Sequence, residues 1–216
     1  KNIRAGDIII GLSSSGKTVY EEVENSGIGS NGLTAARHTI FNKTYLSKYP
    51  ESVSGTIAED KIYCGKYMLE EKLKGSDLTA AESILSPTRT YLPLFKDLFN
   101  TISRENIHGI IHCTGGGQVK CRDFGRNLCF IKDNLFPWPA LFEEIYSSGE
   151  IAQKEMYQIF NMGHRMEIYC DQKYADKIIS LASGYNIDSR IIGRVEKSQT
   201  DGNKVVIHDR DRVFEY

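Results

Sequence analysis

Residues 7–12, DIIIGL, form a continuous apolar run, which predicts a strand buried on both faces. Residues 107–113, IHGIIHC, predict a second apolar strand, ended abruptly by the TGGG of residues 114–117. Shorter strands are predicted at 128–132 and 190–195, and residues 165–170 alternate as a strand with one buried face. Helical spacing appears at 33–41, where Ser30 and Asn31 are N-cap residue types. It appears again at 90–102, with Pro93 in the first turn, and in a helix that starts from PWP at 137–139 and runs through Leu141 and Ile145. Residues 154–160 and 174–182 complete the helices; in the latter Ala175, Ile178, Ile179 and Ala182 share one core-facing stripe. Residues 62–73 carry a weak helical period broken by Gly65, 17–26 are polar and 50–55 read as loop. Asp201-Gly202-Asn203 predicts a hairpin turn into a strand at 204–208. With no repeat, low-complexity stretch or linker, the pattern predicts one α+β domain over residues 1–216: a mixed β-sheet in layers with helices, and residues 196–216 as a hairpin-like extension.

Composition narrows the function classes. The chain is 40% apolar and 25% charged, ordinary for a globular domain with a real core. Twenty-seven Lys and Arg against 28 Asp and Glu leave a net charge of −1, so nucleic acid and membrane surfaces are not expected partners. No apolar run approaches the roughly 20 residues of a membrane-spanning helix. The five cysteines, Cys64, Cys113, Cys121, Cys129 and Cys170, are odd in number and include no C-x-x-C pair, which favours a reducing cytoplasm over disulfides. Cys113, Cys121 and Cys129 fall at eight-residue intervals beside His112, but match no tetrahedral zinc pattern. They read as buried thiols, and no metal ligands are assigned in this chain. The sequence starts at Lys1 rather than Met and opens almost directly on a strand, as a piece of something longer would.

Residues 11–18, GLSSSGKT, match the phosphate-loop pattern G-x-x-x-x-G-K-[ST]. A working loop needs a helix after its lysine and a second strand ending in an aspartate that serves magnesium. Residues 18–27, TVYEEVENSG, allow only two helical turns and crowd three glutamates near a polyphosphate. The strand at 107–113 ends in glycines, and the one at 165–170, which does end on Asp171, lies very late. The motif stands without its context, and a phosphate-loop triphosphatase is the least favoured reading.

Three small-residue turns each border an apolar run: SSSG at 13–16, GIGSNG at 27–32 and TGGG at 114–117. Glycines let backbone approach a ligand closely, and successive N–H groups form an anion-binding nest. A helix start at Ser30-Asn31-Gly32 adds a favourable dipole for phosphate. Together these turns point to a phosphorylated ligand. NMGH at 161–164 is a fourth candidate turn, and His164 is the candidate acid or base.

In order, GDIIIGLSSSG, GSNGLTAAR, LSPTRTYLPLF, IHGIIHCTGGG, FPWPALFEEI, EMYQIFNMGHRMEIY and IIGRV resemble the C-terminal domain of the aminoimidazole ribonucleotide synthetases, also called phosphoribosylformylglycinamidine cyclo-ligases. The resemblance runs from Gly6 to about Val195. It implies half of a two-domain, homodimeric enzyme of purine biosynthesis that consumes ATP and Mg2+. Such an enzyme phosphorylates the formyl amide oxygen of formylglycinamidine ribonucleotide, and an amidine nitrogen then closes the imidazole ring. An N-terminal domain would supply most of the ATP and metal contacts and the dimer contact. This chain would contribute substrate and phosphate contacts, and would be inactive alone. Carried onto this sequence, those contacts are Ser14, Ser15 and Gly16; Ser30, Asn31 and Gly32; Thr114, Gly115, Gly116 and Gly117; and Asn161, Met162 and Gly163. Thr88 and Arg89 close the SPTR run, where an arginine could face a phosphate.

Two features depart from the family pattern. The family commonly reads S-S-G-x-H-S-N-G, whereas here about ten residues, 17–26, are inserted and Gly29 stands where the histidine would be. If that histidine takes part in chemistry, His164 is the candidate substitute. A thiamine-phosphate kinase, a selenophosphate synthetase and a non-catalytic phosphate-binding module stay open as alternatives.

Overall fold

The structure, a computed structural model, describes residues 2–216. Its strands are β1 (Ile8–Ser13), β2 (Ser15–Gly16), β3 (Asn25–Ser26), β4 (Ile107–His112), β5 (Leu128–Lys132), β6 (His164–Cys170), β7 (Ser189–Lys197), β8 (Lys204–Asp209) and β9 (Arg212–Glu215). Its α-helices are α1 (Leu33–Ile40), α2 (Thr44–Lys48), α3 (Ala80–Leu85), α4 (Leu92–Thr101), α5 (Ala140–Ser147), α6 (Gln153–Ile159) and α7 (Ala175–Gly184). Seven strands form one mixed sheet in the order β4-β6-β1-β7-β5-β8-β9. Every neighbouring pair is antiparallel except β5 and β8, which run parallel. The fold is α+β.

The unbroken apolar run of β1 has its cause in this layout. Ile8, Ile10 and Leu12 face a core built with Leu94 and Leu98 of α4 and Ala175, Ile178 and Ala182 of α7. Ile9 faces the opposite core with Phe130, Tyr169, Ile192 and residues of α1, α5 and α6. Side chains alternate across a strand, so a strand covered on both faces must be apolar at every position. Each such Ile or Leu contributes about 1.5–3 kcal/mol by leaving water. The strand at the sequence's predicted 165–170 is likewise buried throughout, so Arg165 and Glu167 lie inside rather than on a solvated face.

Two local expectations are corrected. Residues 62–73 form no helix: Gly65 N donates to Phe41 O and Tyr67 N to Ile40 O, so this backbone pairs with the end of α1 instead. The helix of that region is α3, opened by a capping box in which Thr79 Oγ1 accepts from Glu82 N and Glu82 Oε2 accepts from Thr79 N at 2.8 Å. The turn at 201–203 makes no hairpin with β7, because both edges of β7 are already taken by β1 and β5. The chain instead passes β5 and pairs with it in parallel; Asn203 Nδ2 donates to the carbonyls of Arg122 and Phe124, and its Oδ1 accepts from Leu128 N. The hairpin of this tail is β8–β9, and Val205 and Ile207 are fully buried.

Candidate functional site

Residues 11–18 do not fold as a phosphate loop. After Ser13 the chain continues into β2, which pairs with β3 through Ser15–Ser26 and Gly16–Asn25, so no helix follows Lys17. Lys17 is exposed and Thr18 is turned inward. The turn's carbonyls point to Arg89: Nη1 donates to Ser13 O (3.1 Å) and Ser15 O (2.9 Å), and Nη2 to Gly16 O (2.6 Å). Arg89 Nε and Nη2 also hold both carboxylate oxygens of Glu21, at 3.0 and 2.7 Å. Burial pushes the Glu21 carboxyl up, but Arg89 outweighs it and holds it below its ordinary value. All five guanidinium N–H groups are therefore spent within the chain. Arg89 clamps the first turn and its inserted hairpin, and has no donor left for a phosphate.

The segment at 157–164 draws the expected turns together. Ser14 Oγ donates to Asn161 Oδ1 (2.7 Å), Asn161 Nδ2 donates to Gly27 O (2.8 Å), and Ser14 N donates to Gly163 O (2.9 Å). Asn31 is no N-cap: its Nδ2 donates to Ile159 O (2.9 Å), and α1 is capped by Gly32 in the left-handed region at φ 77°. Gly117, also left-handed at φ 51°, lies so close that a Cβ would stand 2.5 Å from the carbonyl oxygens of both Tyr157 and Phe160. Only glycine lets the glycine turn seat there. Thr114, Gly115 and Gly116 precede it, and Lys120 Nζ folds back to Thr114 O (2.8 Å).

Two cavities border these turns. The larger, about 610 Å3, opens beside Ser15, Gly16 and Lys17 and runs against Trp138, Pro139 and Gly163. The smaller, about 50 Å3, is where Ser30, Asn31, Thr88, Thr114 and Asn161 converge, with Arg165 also in its wall. The sequence reading missed Arg165. Its signal was a lone arginine within a strand otherwise destined for the interior.

His164 is not a solvated loop residue. It starts β6 inside the core, with Nε2 3.0 Å from Glu167 Oε1 and Nδ1 3.2 Å from Gln118 Nε2. Burial pulls its pKa below the ordinary histidine value despite Glu167. Lys132 Nζ reaches Glu167 Oε1 at 2.5 Å and also donates to Gln118 O; Tyr169 OH donates to Glu167 Oε2 at 2.5 Å. Burial pushes the Glu167 carboxyl up, but the Lys132 ammonium and His164 hold it at about 2. Cys113, His164 and Glu167 place ligand atoms within 4.8 Å of one another. The Lys132 ammonium already supplies the positive charge there, and burial raises the Cys113 thiol well above its ordinary value, against the thiolate a metal needs. Cys113 and Cys121 are buried thiols, and Cys129 lies half-buried on β5.

No family model matches the chain. The phosphoribosylformylglycinamidine cyclo-ligase of Methanocaldococcus jannaschii is 33% identical over 207 residues, 95% of this chain and 49% of that protein. That of Methanococcus maripaludis is 32% identical over 204 residues, 94% of this chain and 48% of that protein. The cyclo-ligases are its relatives. The likeness read from the motifs therefore extends along nearly the whole chain, and the chain spans about half the length of the curated cyclo-ligases it matches. Among solved structures, T. maritima PurL complexed with FGAR aligns with all of this chain and 27% of its own, at 13% identity and a TM-score of 0.48. A hydrogenase maturation protein HypE aligns with 95% of this chain and 50% of its own, at 13% identity and a TM-score of 0.46. These two structural likenesses are too loose to bear on function. Among the described residues no helix is long and apolar enough to cross a membrane.

Proposed function

We propose that this chain is the C-terminal half of an ATP-dependent cyclo-ligase of purine biosynthesis, which converts formylglycinamidine ribonucleotide and ATP to aminoimidazole ribonucleotide, ADP and phosphate. The observation that carries the reading is the match to cyclo-ligases across 94–95% of the chain. The site supports it, because turns far apart in sequence meet on one segment, and small residues there bring backbone close to any ligand. A second half of the protein completes the enzyme, which acts as a homodimer in the cytoplasm.

Mg-ATP supplies the phosphoryl group when bound. The donor sets of this chain suit magnesium poorly, since that ion takes oxygen ligands in octahedral array. Cys113 and His164 offer sulfur and nitrogen beside a carboxylate already paired with Lys132. The other candidate cluster, Asp7, His108 and Asp171, is tied up by an Asp7–His108 contact at 2.7 Å and by Arg4. Metal contacts therefore belong to the other half. The present chain binds and orients the phosphorylated ribonucleotide through the turns at Ser14–Gly16, Ser30–Gly32, Thr114–Gly117 and Asn161–Gly163. His164 supports this surface from beneath: its neighbour Gln118 also donates to Asn161 O, the residue that ties the first and last turns.

The test is an assay of the full-length protein with formylglycinamidine ribonucleotide and Mg-ATP. Aminoimidazole ribonucleotide and ADP should form in equal amounts, and the present chain alone should make neither. Phosphorylation of thiamine phosphate in place of ring closure would move the protein to the kinase reading.

A further inference from the structure

Arg165 is the largest fully buried side chain, about 1% exposed. Its Nη2 donates to Gly27 O (2.8 Å) and Ile28 O (2.6 Å), while its Nη1 has no partner among the described residues. Among the described residues no carboxylate forms an ion pair with it; Glu21, an acid that acts on it electrostatically, is already held by Arg89 at both oxygens. A buried cation without a counter-ion is expensive, and proteins pair such charges. The unpaired guanidinium lies in the wall of the 50 Å3 cavity, whose other lining residues bring hydroxyls, amides, an imidazole, a thiol, backbone and the aliphatic Ile159. No acidic residue lines it. Gly29 forms its roof: a Cβ there would stand 3.1–3.3 Å from three atoms of the guanidinium. The start of the eight-residue helix α1 and the ammonium of Lys120, bonded to Thr114 O, add positive potential at its edges.

We propose that this pocket is an oxyanion site, in which a phosphate group enters between Ser30-Asn31, Thr88 and Thr114 and Arg165 is its counter-charge. The proposal rests on the reading that the chain handles phosphorylated ligands, and assigns the anchor to Arg165 instead of Arg89. The cavity holds one small oxyanion and excludes a base or sugar, so only the phosphate end of a larger ligand enters. Gly29 and Arg165 then work as a pair, since a side chain at 29 would occupy the space the guanidinium and its anion need.

The experiment is calorimetric titration of inorganic phosphate into the protein at fixed ionic strength. One site is expected, weakened at least tenfold in Arg165→Gln, since bonds to charged groups carry that much, and several-fold in Gly29→Ala. Lys17→Ala should bind as the parent does. Should Arg165→Gln fail to fold, the Thr88→Val/Thr114→Val double variant carries the test and should show the same weakening. Ribose 5-phosphate and ADP are then compared: Arg165-dependent binding of the first marks the ribonucleotide's phosphate as the occupant, and of the second the nucleotide's. Absence of phosphate binding, or binding equal in the parent and these variants, overturns the site. If the full-length protein makes aminoimidazole ribonucleotide while phosphate ignores Arg165, only this site falls. If phosphate needs Arg165 but no such product forms, only the cyclo-ligase reading falls.

Discussion

Arg89 and Arg165 are two buried arginines beside the same set of turns, and they are held in opposite ways. Arg89 meets three carbonyl oxygens and both oxygens of Glu21, so its charge and all its donors are satisfied. Among the described residues Arg165 meets two carbonyls and no acid, and leaves one nitrogen without a partner. The first arrangement is that of a structural clamp. The second is that of a site whose electrostatics are completed from outside. Residue type and burial are the same in both; the inventory of partners separates them.

The comparison can be broken most severely at the clamp. Arg89→Met strands Glu21 and three carbonyls at once, and we expect a loss of about 4 kcal/mol, read from urea unfolding midpoints. Glu167→Gln tests the other fully paired buried cation, Lys132, and should cost about 3 kcal/mol by leaving that ammonium without its carboxylate. The same group gives a pH test. Glu167 has its pKa lowered from 4.5 to about 2, Lys132 and His164 overcoming the upward push of burial. Its contribution is complete above pH 4.5 and is lost as pH falls toward 2. His164, lowered from 6.5 by burial, adds a loss that begins as pH falls below 6.5. The unfolding midpoint should therefore drop from neutral pH downward, and a Glu167→Gln protein should show a flatter profile below pH 4.5.

Arg165→Met sharpens the contrast. Its lost carbonyl bonds are offset by removal of an uncompensated buried charge, so without phosphate it should cost only about 1 kcal/mol. A loss equal to that of Arg89→Met would show that the two arginines do the same job. The smallest effect belongs to Lys17→Ala, within about 0.5 kcal/mol, because the exposed lysine of the apparent phosphate loop supports no contact in the core.

Much of the scaffold was legible. The runs at β1 and β4 and the stripes of α4 and α7 have the periods their environments impose. Residues 62–73 misled because pairing with the end of α1, a long-range choice, outweighed a weak local period. The opposite lesson comes from α3, whose Thr79-to-Glu82 capping box was written locally and was overlooked. Of the site, the four turns were visible as small-residue clusters, with Arg89 as an arginine that could face a phosphate and His164 as the candidate acid or base. In the structure both groups are occupied: Arg89 by the carbonyls of Ser13, Ser15 and Gly16 and by Glu21, all far away along the chain, and His164 by Glu167 of its own strand and by the distant Gln118.

By itself the sequence determined which segments must leave water, where small residues let backbone approach closely, and the order of motifs that relates the chain to the cyclo-ligases. Periodicity and steric size are properties of neighbours along the chain, so they can be read there. Only the tertiary structure decided that β8 passes β7 to lie beside β5, that the turns meet on the segment at 157–164, and which buried arginine keeps an unpaired donor. Those outcomes depend on which polar groups meet across tens of residues, and hydrogen-bond and charge balance is settled only when every partner is in place.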